Sequence, residues 1–196
     1  MKKFTIKNGK LQGVSFVPSP NFNSRPIKDG VPEVSGIVIH NISLPPSEFG
    51  KTDKHGRHFV EVFFQNALNA DDHPYFASIY QLQVSAHLFI KRDGEIIQFV
   101  NFDDRAWHAG ASSYLGRANC NDFTIGIELE GDDFSVFTDE QYQALVAVII
   151  AIYQAYPATY RHLMGHSDIA PVRKTDPGAF FDWQRLRKLI NQSVNL

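Results

Sequence analysis

Six residues at strand ends and in loops are candidates for holding a metal ion or moving protons: His40, His87, His108, His166, Asp168 and Asp176. Glu128 and Lys174 add a carboxylate and a cation of the kind hydrolytic sites use. Neutral imidazole and carboxylate oxygen both suit zinc, which binds them tetrahedrally, and a site with three protein ligands keeps a fourth position for water. Spacing alone does not bring His40 to His166, so at each position a hydrogen-bonded or solvated histidine stays the alternative. His40 and His166 stand out because each follows an apolar segment and opens a polar loop, which holds a reactive group at a sheet edge. His55 and His58 lie in a polar loop and His73 precedes Pro74, so they read as loop and turn residues. Glu128 and Glu130 alternate with Ile127 and Leu129 and share one strand face, either as an acid/base pair or as a solvated surface. Lys174, near Arg173 and Asp176, reads equally well as a surface charge.

The elements that must position these groups can be traced along the chain. Gly36 to His40 is β-branched and apolar, the pattern of a strand buried on both faces that ends at His40. A polar loop from Asn41 to His58 precedes a helix marked by Phe59, Val62, Phe63 and Ala67. His87 to Lys91 and Glu95 to Val100 flank an Asp-Gly turn and predict an antiparallel hairpin. Phe102 to Asp122 reads as a second long irregular stretch before a strand from Phe123 to Glu130. Thr138 and Gln141 form a capping box for a helix that buries Tyr142, Leu145, Val146, Ile149 and Ile152 and runs up to Pro157. A short strand over Arg161 to Met164, an irregular stretch from Gly165 to Phe181 and a helix capped by Asp182 complete the chain. The expectation is one α/β domain of mixed α+β type, with a central mixed sheet flanked by helices.

Composition prunes the functions. The chain has 196 residues, 19 Lys plus Arg against 21 Asp plus Glu and a net charge of −2, which offers no field for nucleic acid. At this length a core needs no structural metal or disulfide, so any metal is a functional one. Cys120 is the single cysteine and suits a reducing compartment. The basic start is followed by Asn8, Gly9, Lys10 and Gln12 where an export signal has its apolar stretch. The longest apolar run, Ala144 to Tyr153, is about half the roughly 20 residues of a membrane helix. A soluble, cytoplasmic protein is expected. No phosphate-binding glycine loop, dinucleotide fingerprint or His-Glu-x-x-His helix occurs, and Gly165-His166-Ser167-Asp168-Ile169 lacks the closing glycine of a nucleophile elbow.

Four blocks carry a resemblance. They are Val38-Ile39-His40-Asn41-Ile42-Ser43-Leu44-Pro45-Pro46, Ala106-Trp107-His108-Ala109-Gly110, Cys120 through Gly131, and Gly165-His166-Ser167-Asp168-Ile169-Ala170-Pro171 continuing to Trp183. In order and spacing, from about Val17 to Trp183, the chain resembles the cytoplasmic anhydro-muropeptide amidases of the AmpD type. Their fold is shared with zinc amidases and peptidoglycan recognition proteins. The resemblance implies cleavage of the amide between N-acetylmuramic acid and L-alanine of the stem peptide. It implies one zinc on His40, His166 and Asp176, Glu128 as catalytic acid/base and Lys174 as transition-state stabiliser. Asn41, Trp107 and His108 are then expected to contact substrate, although Trp107 reads equally as a core residue. Glu130, His87 and His108 become groove residues or supports for a ligand, and Asp168 a turn-bonding residue. Gln83 and Asn119 stand where family members carry arginines for acidic groups of the stem peptide, so the usual preference for diaminopimelate does not carry over. Two other readings remain: a muropeptide-binding sensor, against which the full ligand set argues, and an exported amidase acting on intact peptidoglycan.

Overall fold

The computed structural model describes residues 3–194. Its central sheet is built from β1 (Ser15–Phe16), β2 (Gly36–Ile42), β3 (Leu88–Ile90), β4 (Ile96–Gln98), β5 (Thr124–Glu130) and β6 (Leu163–Gly165). The six strands lie in the order β6-β2-β5-β3-β4-β1. All neighbours run parallel except β3 and β4, which form the antiparallel hairpin expected around Asp93-Gly94. Gly94 takes the left-handed φ of +83° that lets Lys91 N–H reach Glu95 O at 2.9 Å.

Helices cover both faces: α1 (Phe59–Phe64), α2 (Asp139–Ala155), α3 (His166–Ile169) and α4 (Trp183–Val194). One face of the sheet, with Ile37, Ile39, Ile125, Ile127 and Leu129, packs on Leu145, Val146, Ile149 and Ile152 of α2 and Leu186 and Ile190 of α4. Each such aliphatic side chain contributes about 1.5–3 kcal/mol on full burial, which anchors β2 and β5 as a rigid base. The start of α2 carries the expected box, Gln141 N–H to Thr138 Oγ1 and Thr138 N–H to Gln141 Oε1, both at 3.1 Å. On the opposite face Phe89, Ile97 and Phe99 meet Val60, Phe63 and Phe64 of α1, while Val38 and Met164 pack against Cys120 and Phe123.

Three stretches differ from the sequence reading. Helix α1 stops at Phe64 instead of reaching Ala67, because Asn66 turns left-handed at φ +58° and its N–H closes on Phe63 O. The stretch from Phe102 to Asp122 is not irregular throughout: Asp104–Ala106 pairs with Phe22–Ser24, and Ser113–Tyr114 with Arg117–Ala118. Strands of two or three residues are too short to show an alternation. Between Gly165 and Phe181, α3 adds one helical turn, whose start is held by Asp168 Oδ2 accepting Gly165 N–H at 2.7 Å.

The register sets the site. His40 on β2 is the partner of Glu128 on β5, and Gly165 on β6 pairs with Ile39, so His166 follows next to His40. Three chemistry-bearing side chains therefore meet near the carboxyl ends of three adjacent parallel strands, where α/β sheets place their ligands. No helix among the described residues is long and apolar enough to cross a membrane.

Candidate active site

His40, His166 and Asp176 converge at the end of β2. His40 Nδ1 lies 3.0 Å from His166 Nδ1 and 3.0 Å from Asp176 Oδ2, and His166 Nδ1 lies 3.1 Å from the same oxygen. All three residues are buried.

The protons can be placed from the fixed groups around this triangle. Cys120 O can only accept, so Thr124 Oγ1–H donates to it at 2.7 Å. The same hydroxyl oxygen then accepts from His108 Nε2–H at 3.2 Å. Burial, reinforced by neighbouring His40, His87 and Arg25, pushes the His108 imidazole well below its ordinary pKa, so the ring is neutral and its Nδ1 is an acceptor. That nitrogen sits 3.0 Å from His40 Nε2, which must therefore carry the hydrogen. Burial also pushes His40 down to about 4 despite Asp176, so this ring too is neutral and its Nδ1 bears a bare lone pair. His166 Nε2 donates to Ala109 O at 3.1 Å, which turns its Nδ1 toward His40 and Asp176. Two imidazole nitrogens and a carboxylate oxygen thus face one another. This donor set fits a metal cation, which all three could bind.

Glu128 is the other unusual group. Its Oε2 is buried without a hydrogen-bond partner, and burial, with Asp176 adding to it, raises its carboxyl well above the ordinary range while Lys174 opposes the shift. Glu128, Lys174 and the three ligand-type residues line a groove of about 590 Å³. Asn41, Trp107 and His108 line it too, and Tyr75, Ile79, Leu82 and Val84 give it an apolar wall.

The other sequence candidates separate clearly. His108 turns both ring nitrogens to His40 and Thr124, so it holds the His40 ring in place. Trp107 donates its indole N–H to Asn23 Oδ1 at 2.8 Å and is half-buried on the groove wall. Glu130 does not face solvent: Oε1 accepts from Gly50 N–H and His58 Nε2, and Oε2 from Arg92 N–H. It tethers the loop between Asn41 and His58. His58 is itself buried and caps α1, accepting Val60 N–H on Nδ1. His87 accepts Gly126 N–H and lies 2.9 Å from Arg25, inside the protein. Gln83 and Asn119 are exposed.

Sequence reasoning missed four positions. Thr124 and Asn121 arrange His108, the latter accepting the N–H groups of His108 and Ala109 on one oxygen. Arg25 is buried and donates to the carbonyls of Phe102, Asn121 and Thr124. Asp133 bonds Asn41 and Thr175. One signal was present: Gly126 interrupts the β-branched run of Thr124, Ile125 and Ile127, and a Cβ there would fall 2.4 Å from the His108 ring.

A family model described as N-acetylmuramoyl-L-alanine amidase matches residues 30–179, which include His40, Glu128, His166, Lys174 and Asp176. The chain belongs to the N-acetylmuramoyl-L-alanine amidase family. It is 50% identical over 189 residues to the 1,6-anhydro-N-acetylmuramyl-L-alanine amidase AmpD of Escherichia coli, spanning 96% of this chain and 98% of that one. The crystal structure of a selenomethionine derivative of AmpD is 51% identical and superposes with a TM-score of 0.87, over 94% of this chain and 98% of the other. The amidase AmiD of E. coli, solved with anhydro-N-acetylmuramic acid-L-Ala-D-γ-Glu-L-Lys, is 26% identical with a TM-score of 0.60, covering 96% of this chain and 66% of that one. The mixed sheet and flanking helices are thus the amidase fold, and the chain is an amidase of this family.

Proposed function

We propose that this amidase hydrolyses the amide between the lactyl group of 1,6-anhydro-N-acetylmuramic acid and L-alanine of a stem peptide. We further propose that one zinc ion is held by His40, His166 and Asp176, and that the enzyme serves cytoplasmic peptidoglycan recycling, like the amidases its sequence resembles. The observation that carries the reading is the convergence of two imidazole nitrogens and a carboxylate oxygen beside a buried Glu128 oxygen with no partner among the described residues. Ligands about 2.0–2.1 Å from a tetrahedral zinc stand roughly 3.3 Å apart, close to the spacing of these three atoms before any ion draws them to itself. The 50% identity to AmpD along almost its whole length, and the substrate bound in the AmiD structure, support the substrate class.

Zinc, when bound, supplies a water acidified to a pKa of about 7 and polarises the amide carbonyl. Glu128 takes a proton from the attacking water and gives it to the departing alanine nitrogen. Its free Oε2 is the acceptor, and the carboxyl's raised pKa strengthens it as a base. Positive charge in the ligand triangle favours the ionised carboxylate, offsetting the influence of Asp176 and putting Glu128 in the form that can act as base. Lys174, on the groove wall, offsets the charge growing on the carbonyl oxygen. The apolar wall from Tyr75 to Val84 and the half-buried face of Trp107 receive the lactyl and sugar carbons, and the Asn41 amide meets a polar group of the substrate.

Mass spectrometry of products from anhydro- and reducing-end muropeptides, with and without a chelator, tests this reading. Release of an L-alanine-headed peptide from the anhydro form, lost on chelation and restored by zinc, is expected. Binding without release would establish a sensor instead.

A further inference from the structure

The loop after β5 carries a carboxylate that the chemistry above does not use. Asp133 Oδ1 accepts from Asn41 Nδ2 at 2.8 Å, and Oδ2 accepts from Thr175 Oγ1. Asn41 directly follows His40 on β2, Thr175 stands between Lys174 and Asp176, and Asp133 lies on the loop that continues the strand bearing Glu128. Three of the segments that supply site residues, those of His40, Glu128 and Lys174–Asp176, therefore meet at one side chain. The approach is close: a Cβ on Gly178 would fall 2.7 Å from Asp133 Cα, and that glycine also has a φ of +81°.

A carboxylate accepts only, and this decides the orientation of Asn41. A side-chain amide can turn over and exchange its oxygen and nitrogen. With Nδ2 drawn to Asp133, Oδ1 has no partner among the described residues, and both Asn41 and Asp133 line the groove. We propose that Asp133 is a positioning residue, which fixes the Asn41 amide so that Oδ1 accepts an amide N–H of the bound muropeptide. Through Thr175 the same carboxylate keeps the Lys174–Asp176 segment in register with β2. An asparagine at this position could still accept from Asn41 on Oδ1, but its Nδ2 could only donate to Thr175 Oγ1, which reverses that bond. The identity of the substrate N–H rests on the function proposed above; the orientation of Asn41 does not.

A double-mutant cycle and a spectrum test the inference on the full chain. Asp133→Ala is expected to lower kcat/KM on anhydro-muropeptide about 10- to 100-fold, the scale of a displaced binding group. In an Asn41→Ala background the same change should cost less than about threefold, since its route of action is already gone. Losses that multiply in full would overturn the proposal. If Asp133→Ala fails to fold, Asp133→Asn, which keeps the volume and one acceptor, should show a smaller loss with the same non-additivity. Independently of activity, the Asn41 side-chain amide is identified in a 1H–15N spectrum by its absence from Asn41→Ala. Its resonance should move, and its protons exchange faster, in Asp133→Ala; an unchanged signal refutes the proposal. A wild-type chain that released no peptide would sink the proposed function, yet the spectrum would still decide the role of Asp133.

Discussion

Replacing Thr124 by valine removes one oxygen from a side chain with no exposed surface and keeps its shape. In the metal-free protein the loss can be absorbed. His108 can move its proton to Nδ1 and donate to His40 Nε2, and His40 can then donate from Nδ1 to Asp176 at 3.0 Å. With zinc bound this rearrangement is forbidden, because His40 Nδ1 must be bare. His40 Nε2–H then needs His108 Nδ1 as acceptor, and His108 Nε2–H is left facing a methyl group. A buried donor without a partner costs about 1–3 kcal/mol, and here that cost falls on the metal-bound state alone. The zinc dissociation constant should rise about 5- to 150-fold at roughly 1.4 kcal/mol per tenfold. Cys120 O loses the hydroxyl in both states but keeps Phe123 N–H, so this change cancels. Competition with a chromophoric chelator measures the constant, and thermal melting of the metal-free forms supplies the control. Thr124→Ser should bind zinc as the parent does. Unchanged zinc affinity in Thr124→Val, or an equal loss in the serine variant, would refute the assigned tautomers.

Other expectations follow from the groups around the triangle. Glu128→Gln should reduce kcat by about 10²–10⁴ while raising the melting temperature of the metal-free protein at pH 7. The folded-state pKa of Glu128 is raised, so its ionisation costs stability at every pH above the unfolded value, and glutamine removes that cost; a lower melting temperature would contradict this. Lys174→Ala should retain zinc but lose about 10²–10³ in kcat, and removal of the cation should move the acid limb of the kcat/KM profile to higher pH. His166→Ala should lose the metal, so equal zinc content in these two variants by elemental analysis would overturn the division of roles. His108→Ala opens a cavity beside Gly126 and should weaken zinc binding about 10- to 100-fold in the same chelator assay.

How much was legible follows from the length and burial of each element. The β2 and β5 runs and the α2 face span enough residues for their patterns to emerge, and the Asp-Gly turn announces its own hairpin. His40 and Glu128 were visible as candidates because they sit on such strands. That they are register partners was not, since parallel pairing across many intervening residues leaves no local trace. Glu130 misled because alternation gives its side of the strand but not what covers it, here a loop tethered through Gly50 and His58. Arg25 was invisible for the same reason: nothing near it in sequence shows that its partners are carbonyls at Phe102, Asn121 and Thr124.

Those carbonyls bear on the metal site more than their distance along the chain suggests. Both histidines of the proposed metal site turn a ring nitrogen toward a backbone acceptor, His166 to Ala109 O directly and His40 to Cys120 O through His108 and Thr124. The two acceptors belong to a single stretch with little regular structure of its own, so something else must hold it still. Asn121 does so from within by taking two N–H groups on one oxygen. Arg25 does so from outside, with a guanidinium that burial lowers only to about 10 and that stays charged at neutral pH. It lies against His87 and donates to three backbone oxygens, and among the described residues it bonds no carboxylate, which costs desolvation but spreads the charge over the carbonyls that frame the loop. A lysine could reach one of these oxygens but not fork among them, so Arg25→Lys should loosen the loop and weaken zinc binding without altering any residue that touches the metal.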